Sequence, residues 1–486
     1  MDHMSPVDSM FLSVEDGISH MHVGSCAVFE GPAPEYRDVV ALIASKLPLI
    51  PRYRQKVRDV PGGLGRPVWV DDPHFNLEYH VRHSALPPRG STADLDNLMG
   101  RLMSQELDRH RPLWEAWMIE GLPDGQWALI SKVHHCMVDG VSGTELMATL
   151  LDPSRDTPAA APDDWLPAPE PSDAALLAES IGRLLRSPFE QARALRALAR
   201  TPRRAAGELR AIVDGLVNTR AHLGPRHDVS IVGRIGPHRR WASAEVELTD
   251  VKAIKQALGG TVNDVVLAAI AGAFRDLLLA RSEDPDRAVL RSLVPVSVRA
   301  AGDVRPSNQV SAMIAELPIG VADPVARLAA TRAEMERLKA SHQADTMSAL
   351  TSLAGIAAPA VVAALVRGAD TLARRLPQRV VDTVTTNVPG PQVPLYAVGR
   401  QMTSYLPLVP LAQGVRIGVA IMSYNGRVSF GVTGDYDSIP EVAPFCRSIE
   451  AGIHDLHEAS RPARGRSTAS PGRSARARRT ARPVAS

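Results

Sequence analysis

The sequence predicts an α/β protein built as two lobes. Its 486 residues are more than one hydrophobic core usually organises. Strand-like alternation and helical spacing follow one another in both halves of the chain, and a Pro-rich stretch with few large apolar residues separates the halves. Hydrophobic residues make up 45% of the chain, a value typical of packed globular domains, so both halves can bury a core.

The first half, residues 1–152, carries the pattern of an N-terminal α/β lobe. Period-two alternation indicates strands, and apolar residues three or four positions apart indicate helices. The predicted strands are 20–31, 114–122 and 126–135, the last two paired around Pro123-Asp124-Gly125, and the predicted helices are 93–108 and 141–152.

A connector, residues 153–227, follows. It opens with a Pro-rich linker, 153–174, which is expected to be semi-rigid. Residues 176–213 are basic with helical spacing, and two interpretations stay open: a solvated helix bridging the lobes, or a patch against anionic lipid. At the other end, the tail 461–486 has eight arginines and no core-forming residues, a composition that predicts disorder.

The second half, residues 228–460, restarts the α/β pattern as a C-terminal lobe. The predictions are a strand followed by a helix in 244–258, a helix at 262–280, a strand at 288–299, and a hairpin at 416–437. The hairpin is expected to turn at Asn425-Gly426, because a two-residue turn of this kind needs positive φ at both positions.

The net charge and the cysteine pattern argue against several classes of protein. A formal net charge of +2 does not suit a nucleic-acid-binding body, so no nucleic-acid partner is expected. Three cysteines without a CxxC pair indicate a reducing compartment and no disulfide framework, and the N-terminus lacks the apolar segment of a secretory signal. The uncharged stretch 346–366 contains Pro359 and many small residues, which favours a buried or membrane-surface helix over a membrane span.

The segment KVHHCMVDGVSG at 132–143 concentrates the residues suited to catalysis: His134, His135, Asp139 and Gly140. Histidine titrates nearest neutrality, so it can take a hydroxyl proton and return it. A base at the end of a strand faces a cleft from a rigid support. Asp139 can hold the loop, and Gly140 allows backbone angles that other residues resist.

Other interpretations of the two histidines compete with this one. Adjacent histidines are commonly core or surface residues with no chemical role. A zinc site suits them poorly, because neighbouring residues of a strand point to opposite faces and no further ligand set accompanies them. A serine hydrolase would need a G-x-S-x-G elbow, which the sequence lacks.

The H-H-x-x-x-D-G pattern resembles the signature of the CoA-dependent acyltransferase superfamily. Surrounding stretches narrow the resemblance to the bacterial wax ester synthase/diacylglycerol acyltransferase family, from Ser5 to about Glu458. They are MSPVDSMFL (4–12), IPRYRQKV (50–57), RPLWEAWMIEGL (111–122), GPHRRWA (236–242), TVNDVVLAAIAGAFR (261–275), LVPVSVR (293–299), NQVS (308–311), TTNVPGP (385–391) and SYNGRVSFGVTGDYD (423–437). The Arg-rich tail lies outside the resemblance.

The resemblance implies a fold and a reaction. The fold would be two chloramphenicol acetyltransferase-like lobes with a tunnel between them. A long-chain acyl group would pass from acyl-CoA to diacylglycerol, giving triacylglycerol, or to a long-chain alcohol, giving wax ester. No covalent acyl-enzyme, cofactor or metal would be needed. The implied location is cytoplasmic, with peripheral association at the inner membrane face or at lipid droplets as an open addition.

The resemblance also implies roles for individual residues. The second histidine of the motif is the base in this superfamily, so His135 is the expected general base, next to His134. Asp139 would be structural and pair with an arginine, for which Arg299 is the candidate. The expected supporting residues are Asn263, Asp264 and Asn387. Asn263 is either the oxyanion donor or a helix N-cap, and Asn387 either contacts substrate or holds its loop.

Two other functions remain as alternatives. A condensation-type acyltransferase would take its acyl group from a carrier protein, yet no carrier domain accompanies the pattern. A lipid-surface protein with weak or no catalysis could keep the same fold. Intact His135, Asp139 and Gly140 argue against the second alternative.

Overall fold

The computed structural model describes residues 2–138, 149–156, 163–182, 229–297, 310–340 and 381–461. These residues form two six-stranded mixed sheets, one small sheet, and helices packed against them. The α/β class and the two-lobe arrangement predicted from the sequence are therefore confirmed. Most of the predicted helix 141–152, the basic segment beyond residue 182, the stretch 346–366 and the tail beyond residue 461 lie outside the described residues.

The first lobe contains four helices and seven strands within residues 2–138. They are α1 (Pro6–Val14), α2 (Tyr36–Lys46), α3 (Leu77–His80), α4 (Thr92–Met103), β1 (Asp2–His3), β2 (His22–Phe29), β3 (Gln55–Arg58), β4 (Val68–Asp71), β5 (Val81–Ala85), β6 (Trp114–Glu120) and β7 (Trp127–His134). The predicted pair of strands around Pro123-Asp124-Gly125 is present, since β6 and β7 run antiparallel. Residues 173–182 are also helical.

The second half of the chain contains four described helices and eight described strands. They are α5 (Leu248–Leu258), α6 (Val262–Ala280), α7 (Pro324–Ala340), α8 (Val442–Ser460), β8 (Arg239–Glu247), β9 (Leu290–Ser297), β10 (Val310–Leu317), β11 (Thr383–Pro389), β12 (Tyr396–Ala397), β13 (Arg400–Leu408), β14 (Ile417–Tyr424) and β15 (Arg427–Asp435). The β14–β15 hairpin turns at Asn425 and Gly426 with φ of 42° and 86°, as their sequence predicts.

Two strands of the second half belong to the sheet of the first lobe. That sheet has the order β12-β13-β2-β7-β6-β5, whereas the second lobe's sheet has the order β10-β9-β11-β14-β15-β8. The chain therefore crosses over at residues 396–408: β13 pairs antiparallel with β2, and β12 pairs antiparallel with β13. The expected domain limits at 152 and 228 do not include this exchange, which joins the lobes through backbone hydrogen bonds.

Each lobe has its own buried core. In the second lobe α6 is buried along nearly its whole length, and the ring of Phe274 meets that of Phe445 from α8 at 4.8 Å between centroids. In the first lobe Trp114 stacks on Tyr53 at 4.4 Å and on His80 at 4.7 Å, and its indole N–H donates to the carbonyl of Tyr53. Trp114 is thus a core residue of the first lobe.

One predicted boundary was wrong. The helix expected over 93–108 begins with a capping box at Ser91 and ends at Met103. Beyond that point the buried ammonium of Lys132 on β7 donates to the carbonyls of Leu102 and Gln105. These bonds satisfy helix-terminal carbonyls, so the chain can leave the helix although Leu107 still faces the core.

Within the described residues, no single helix combines the length and the hydropathy of a membrane span. The α5–α6 pair reaches both only when taken together, and it bends by 99° at the break.

Candidate active site

The motif histidines lie where β7 ends. His134 is the last residue of the strand, and His135 begins a short 3-10 turn, His135–Met137. The backbone N–H of Cys136 donates to Nδ1 of His134 at 3.1 Å, so this imidazole acts as the cap of the turn. Because Nδ1 accepts, the proton of neutral His134 is assigned to Nε2.

His135 has a fixed backbone and a packed ring. Its N–H donates to the carbonyl of Met21 at 2.8 Å, and its ring stacks on Phe11 of α1 at 4.0 Å between centroids. The residue is half-buried. Burial lowers the pKa of His135 to about 4, and a hydrogen bond to its own backbone opposes that shift only in part. At neutral pH the ring is therefore uncharged and able to accept a proton.

A buried polar cluster lies beside the turn. His22 on β2 is directly opposite His134 on β7, and both imidazoles face the carboxylate of Glu15. His22 Nε2 lies 3.3 Å from Glu15 Oε1, and His134 Nε2 lies 3.5 Å from Oε2. Arg109 approaches Oε2 at 2.5 Å. We call Glu15, His22, His134 and Arg109 the Glu15 cluster.

The members of this cluster differ in the causes that shift their pKa values. Burial by itself would raise the pKa of Glu15, but hydrogen bonds from His134, His22 and Arg109 outweigh it and hold that pKa far below its usual range. Burial lowers the pKa of His22 to about 3, although its hydrogen bond to Glu15 opposes this. At neutral pH the cluster thus contains an anionic carboxylate facing a neutral His22 and cationic Arg109.

Cys136 is buried in the core of the first lobe. Its Sγ lies 2.9 Å from Nδ1 of His134. Burial raises the pKa of this thiol well above its ordinary value, and the nearby carboxylates of Asp8 and Glu15 raise it further. The thiolate needed for nucleophilic attack is therefore disfavoured.

A zinc site finds no support at this position. The ring of His134 faces Glu15, whereas that of His135 faces Phe11, so the two imidazoles do not converge. Nowhere in the described ranges do three or more His, Cys, Asp or Glu side chains form a set that could hold a metal ion.

Three of the expected site residues lie outside the described residues: Asp139, Gly140 and Arg299. The expected ion pair between Asp139 and Arg299, and the turn at Gly140, stay predictions.

The supporting residues predicted in the second half come together at the start of α6. Nδ2 of Asn387 on β11 donates to Oδ1 of Asn263 at 3.2 Å. The interpretation of Asn263 as the N-cap was wrong, because Thr261 caps the helix and Asp264 completes a capping box with it. The T-x-x-D spacing explains this outcome: the side chain that reaches an N3 amide belongs to the residue three positions earlier. Among the described residues no hydrogen bond or ring contact joins this asparagine pair to His134 or His135.

One cavity of the described residues lies away from the histidines. A cavity of about 280 Å³ is lined by residues of α4, β8 and β13, and by Gln126 just before β7 begins. Since β7 has eight residues, this cavity is roughly 26 Å from the turn that carries His135.

Sequence reasoning missed Phe11, Glu15, His22 and Arg109. For His22 a signal existed, because His20 and His22 are two positions apart in the predicted strand 20–31 and would share a face. Although His20 precedes β2 in the structure, the two rings stack at 5.4 Å between centroids. For Glu15 and Arg109 no local pattern distinguishes them from other charged residues. Their meeting depends on how α1 and the segment after α4 pack against the sheet.

Comparisons with known proteins identify the family of this chain. Residues 4–266 match the family model of the wax ester synthase/diacylglycerol acyltransferase catalytic domain, and residues 307–457 match that of the C-terminal domain of the same family. A protein named "Probable diacyglycerol O-acyltransferase tgs1" from Mycobacterium tuberculosis is 37% identical over 459 residues, covering 94% of this chain and 96% of its own. A second protein from Mycobacterium tuberculosis, named "Probable diacyglycerol O-acyltransferase tgs2", is 32% identical, and the match covers 94% of this chain and 99% of that protein.

Solved structures show the same architecture. The wax ester synthase/diacylglycerol acyltransferase from Marinobacter aquaeolei VT8 is similar with a TM-score of 0.65 and 27% identity, covering 94% of this chain and 99% of that one. The first condensation domain of the calcium-dependent antibiotic synthetase reaches a TM-score of 0.58 at 15% identity over 94% of this chain and 96% of its own, a likeness of fold alone. The chain is thus an acyltransferase and belongs to the wax ester synthase/diacylglycerol acyltransferase family.

Proposed function

We propose that this protein transfers a long-chain fatty acyl group from acyl-CoA to the hydroxyl of diacylglycerol or of a long-chain alcohol, with His135 as general base. The observation that carries the proposal is the placement of His135 at the end of β7, where Met21 holds its backbone N–H and Phe11 stacks on its half-buried ring. The names of the relatives support diacylglycerol as acceptor, and the family name supports an alcohol as well.

The proposed reaction needs no cofactor, because the proton taken from the acceptor is returned to the leaving thiolate. His135 takes the proton as the hydroxyl oxygen of the acceptor attacks the thioester carbonyl carbon, and a tetrahedral intermediate forms. The intermediate then collapses, the bond from carbon to sulfur breaks, and the imidazolium returns the proton to the CoA thiolate. No electron is gained or lost, so neither a redox group nor a metal enters the proposal.

A direct transfer is favoured over an acyl-enzyme. The nucleophile nearest to His135 in sequence is Cys136, and it is fully buried with a raised thiol pKa. Its sulfur faces His134 inside the core rather than the ring of His135. Attack by the acceptor hydroxyl itself needs no movement of this thiol.

The oxyanion of the intermediate needs a preorganised donor. We propose Asn263 for this role. The Oδ1 atom of Asn263 accepts a hydrogen bond from Asn387, and this bond orients the Asn263 amide. The Nδ2 atom of Asn263 is thereby directed away from Asn387. Asn387 then acts on Asn263 rather than on substrate, while Asp264 serves the helix cap. Asp139 is proposed to hold its loop through Arg299, without taking part in proton transfer.

Association with a lipid surface is part of the proposal. Helix α1, whose Phe11 stacks on His135, also exposes Met10 and Val14, and Ile18 follows it at 36% exposure. Apolar side chains exposed close to the catalytic ring can enter the boundary of a membrane or a lipid droplet, where the apolar acceptor dissolves. We propose peripheral binding at the inner membrane face or at lipid droplets.

The test is release of free CoA from palmitoyl-CoA with diacylglycerol or hexadecanol as acceptor. Wild type should release CoA only when acceptor is present, and the faster acceptor identifies the substrate class. His135→Ala should lose roughly 100-fold or more of this rate. His238→Ala is the matched control, because His238 is exposed in the second lobe. No acceptor-dependent release by folded wild type, or full activity of His135→Ala, would refute the proposal.

A further inference from the structure

Glu15 connects the two motif histidines to α1. It directly follows α1, and its side chain is only 9% exposed. Its carboxylate meets His22, His134 and Arg109 through side chains, and the backbone N–H of Met21 donates to Oε1 at 3.2 Å. One carboxylate thus collects contacts from α1, β2, β7 and the segment after α4.

Met21 extends this set of contacts to His135. The same residue that donates its N–H to Glu15 offers its carbonyl to the backbone N–H of His135 at 2.8 Å. A second route passes through His134, whose Nε2 faces Glu15 while its Nδ1 caps the turn on which His135 lies. Both routes end on the backbone that aims the proposed base.

The helix carrying Glu15 also holds the ring itself. Phe11 stacks on the His135 imidazole, and it lies one helical turn before Glu15. If the carboxylate were removed, the end of α1 would lose its attachment to the sheet, and both the backbone support and the ring contact of His135 would loosen together.

We propose that Glu15 is a positioning residue for the acyl transfer, holding the His135 turn and α1 in the geometry that proton abstraction requires. The inference rests on the proposed function, since it assumes that His135 is the base. Glu15 touches neither substrate nor the reacting atoms in this account. If Glu15 only stabilised the fold, its replacement would lower the stability and leave the kcat of the folded protein unchanged.

The test measures kcat and KM for palmitoyl-CoA, with saturating diacylglycerol or hexadecanol, on three variants at a temperature well below each one's unfolding midpoint. Glu15→Gln removes the charge at the same size, and Glu15→Asp keeps the charge but withdraws it from the imidazoles. Both should lower kcat about tenfold, with KM within about twofold of wild type, because misplacing a base slows the chemical step. Glu106→Gln is the control, since Glu106 is 63% exposed and only faces His20 at 3.8 Å.

Wild-type kcat in folded Glu15→Gln, with only a lower unfolding midpoint, overturns the inference. If Glu15→Gln does not fold, Glu15→Asp decides alone: a wild-type kcat overturns the inference, and a tenfold loss at constant KM supports it. His135→Ala in the same series separates the two proposals. An inactive His135→Ala beside a fully active Glu15→Asp refutes the positioning role only, whereas an active His135→Ala refutes the base.

Discussion

Replacing Gly431 by alanine tests how closely the lobes are packed. Gly431 lies in the middle of β15, facing the crossing strand β13. A Cβ at this position would lie 1.6 Å from the carbonyl oxygen of Pro407 and 2.7 Å from its carbonyl carbon. The obstacle is backbone, and that backbone is itself bonded into the first lobe's sheet, so it cannot rotate away as a side chain could.

The expected cost follows from this contact. An ordinary C···O separation requires β13 and β15 to part by roughly 1.7 Å, which pulls β13 away from the second lobe. Overpacking a core costs typically about 1–3 kcal/mol, and a backbone obstacle places Gly431→Ala at about 3 kcal/mol of lost stability. For a large domain this lowers the unfolding midpoint by roughly 6 °C.

Gly452→Ala provides a control of opposite sign. Gly452 is buried inside α8, but a Cβ there would meet Ala269 at 3.5 Å and 3.6 Å, which are ordinary contacts. A glycine within a helix costs about 1 kcal/mol relative to alanine, so this variant should be equal to wild type or more stable. The two variants and wild type are compared by thermal unfolding followed by circular dichroism. A Gly431→Ala midpoint at or above that of Gly452→Ala would refute the packing argument.

The remaining predictions concern protons and the cap of α6. Burial lowers the pKa of His80 to about 4 in the folded protein, whereas the unfolded chain binds this proton near pH 6.5. The free energy of unfolding should therefore fall as pH drops from about 6.5 towards 4, and His80 should account for about 2 kcal/mol of the loss at pH 5. Equal unfolding midpoints at pH 7.5 and 5 would contradict this. Because the pKa of His135 is also lowered, to about 4, the acidic limb of kcat/KM should lie below that of an ordinary histidine, and a limb at or above pH 6.5 would argue against His135 as base. Thr261→Ala should cost about 1 kcal/mol in unfolding free energy, more than Asn263→Ala, as the assigned cap requires; the reverse order would show that the cap is misassigned.

Local elements were predictable because their signals are local. The helix 262–280 and the Asn425-Gly426 turn each carry their own period or backbone preference within a few residues. The same holds for the position of His135, since an alternating run predicts the strand at whose end the histidine pair lies. The end of α4 was mispredicted for the opposite reason, since its carbonyls bond to Lys132, which is distant in sequence.

By itself, the sequence determined the fold class, the family resemblance and the strand that delivers His135, whereas the role of that residue as base stays a proposal. Only the tertiary structure decided that β12 and β13 complete the first lobe's sheet, that Thr261 rather than Asn263 caps α6, and that Glu15 lies against His22 and His134. The physical reason is that a side chain's environment and a strand's partner depend on residues brought together by packing. Periodicity describes which face a residue occupies, but not what the rest of the chain places against that face.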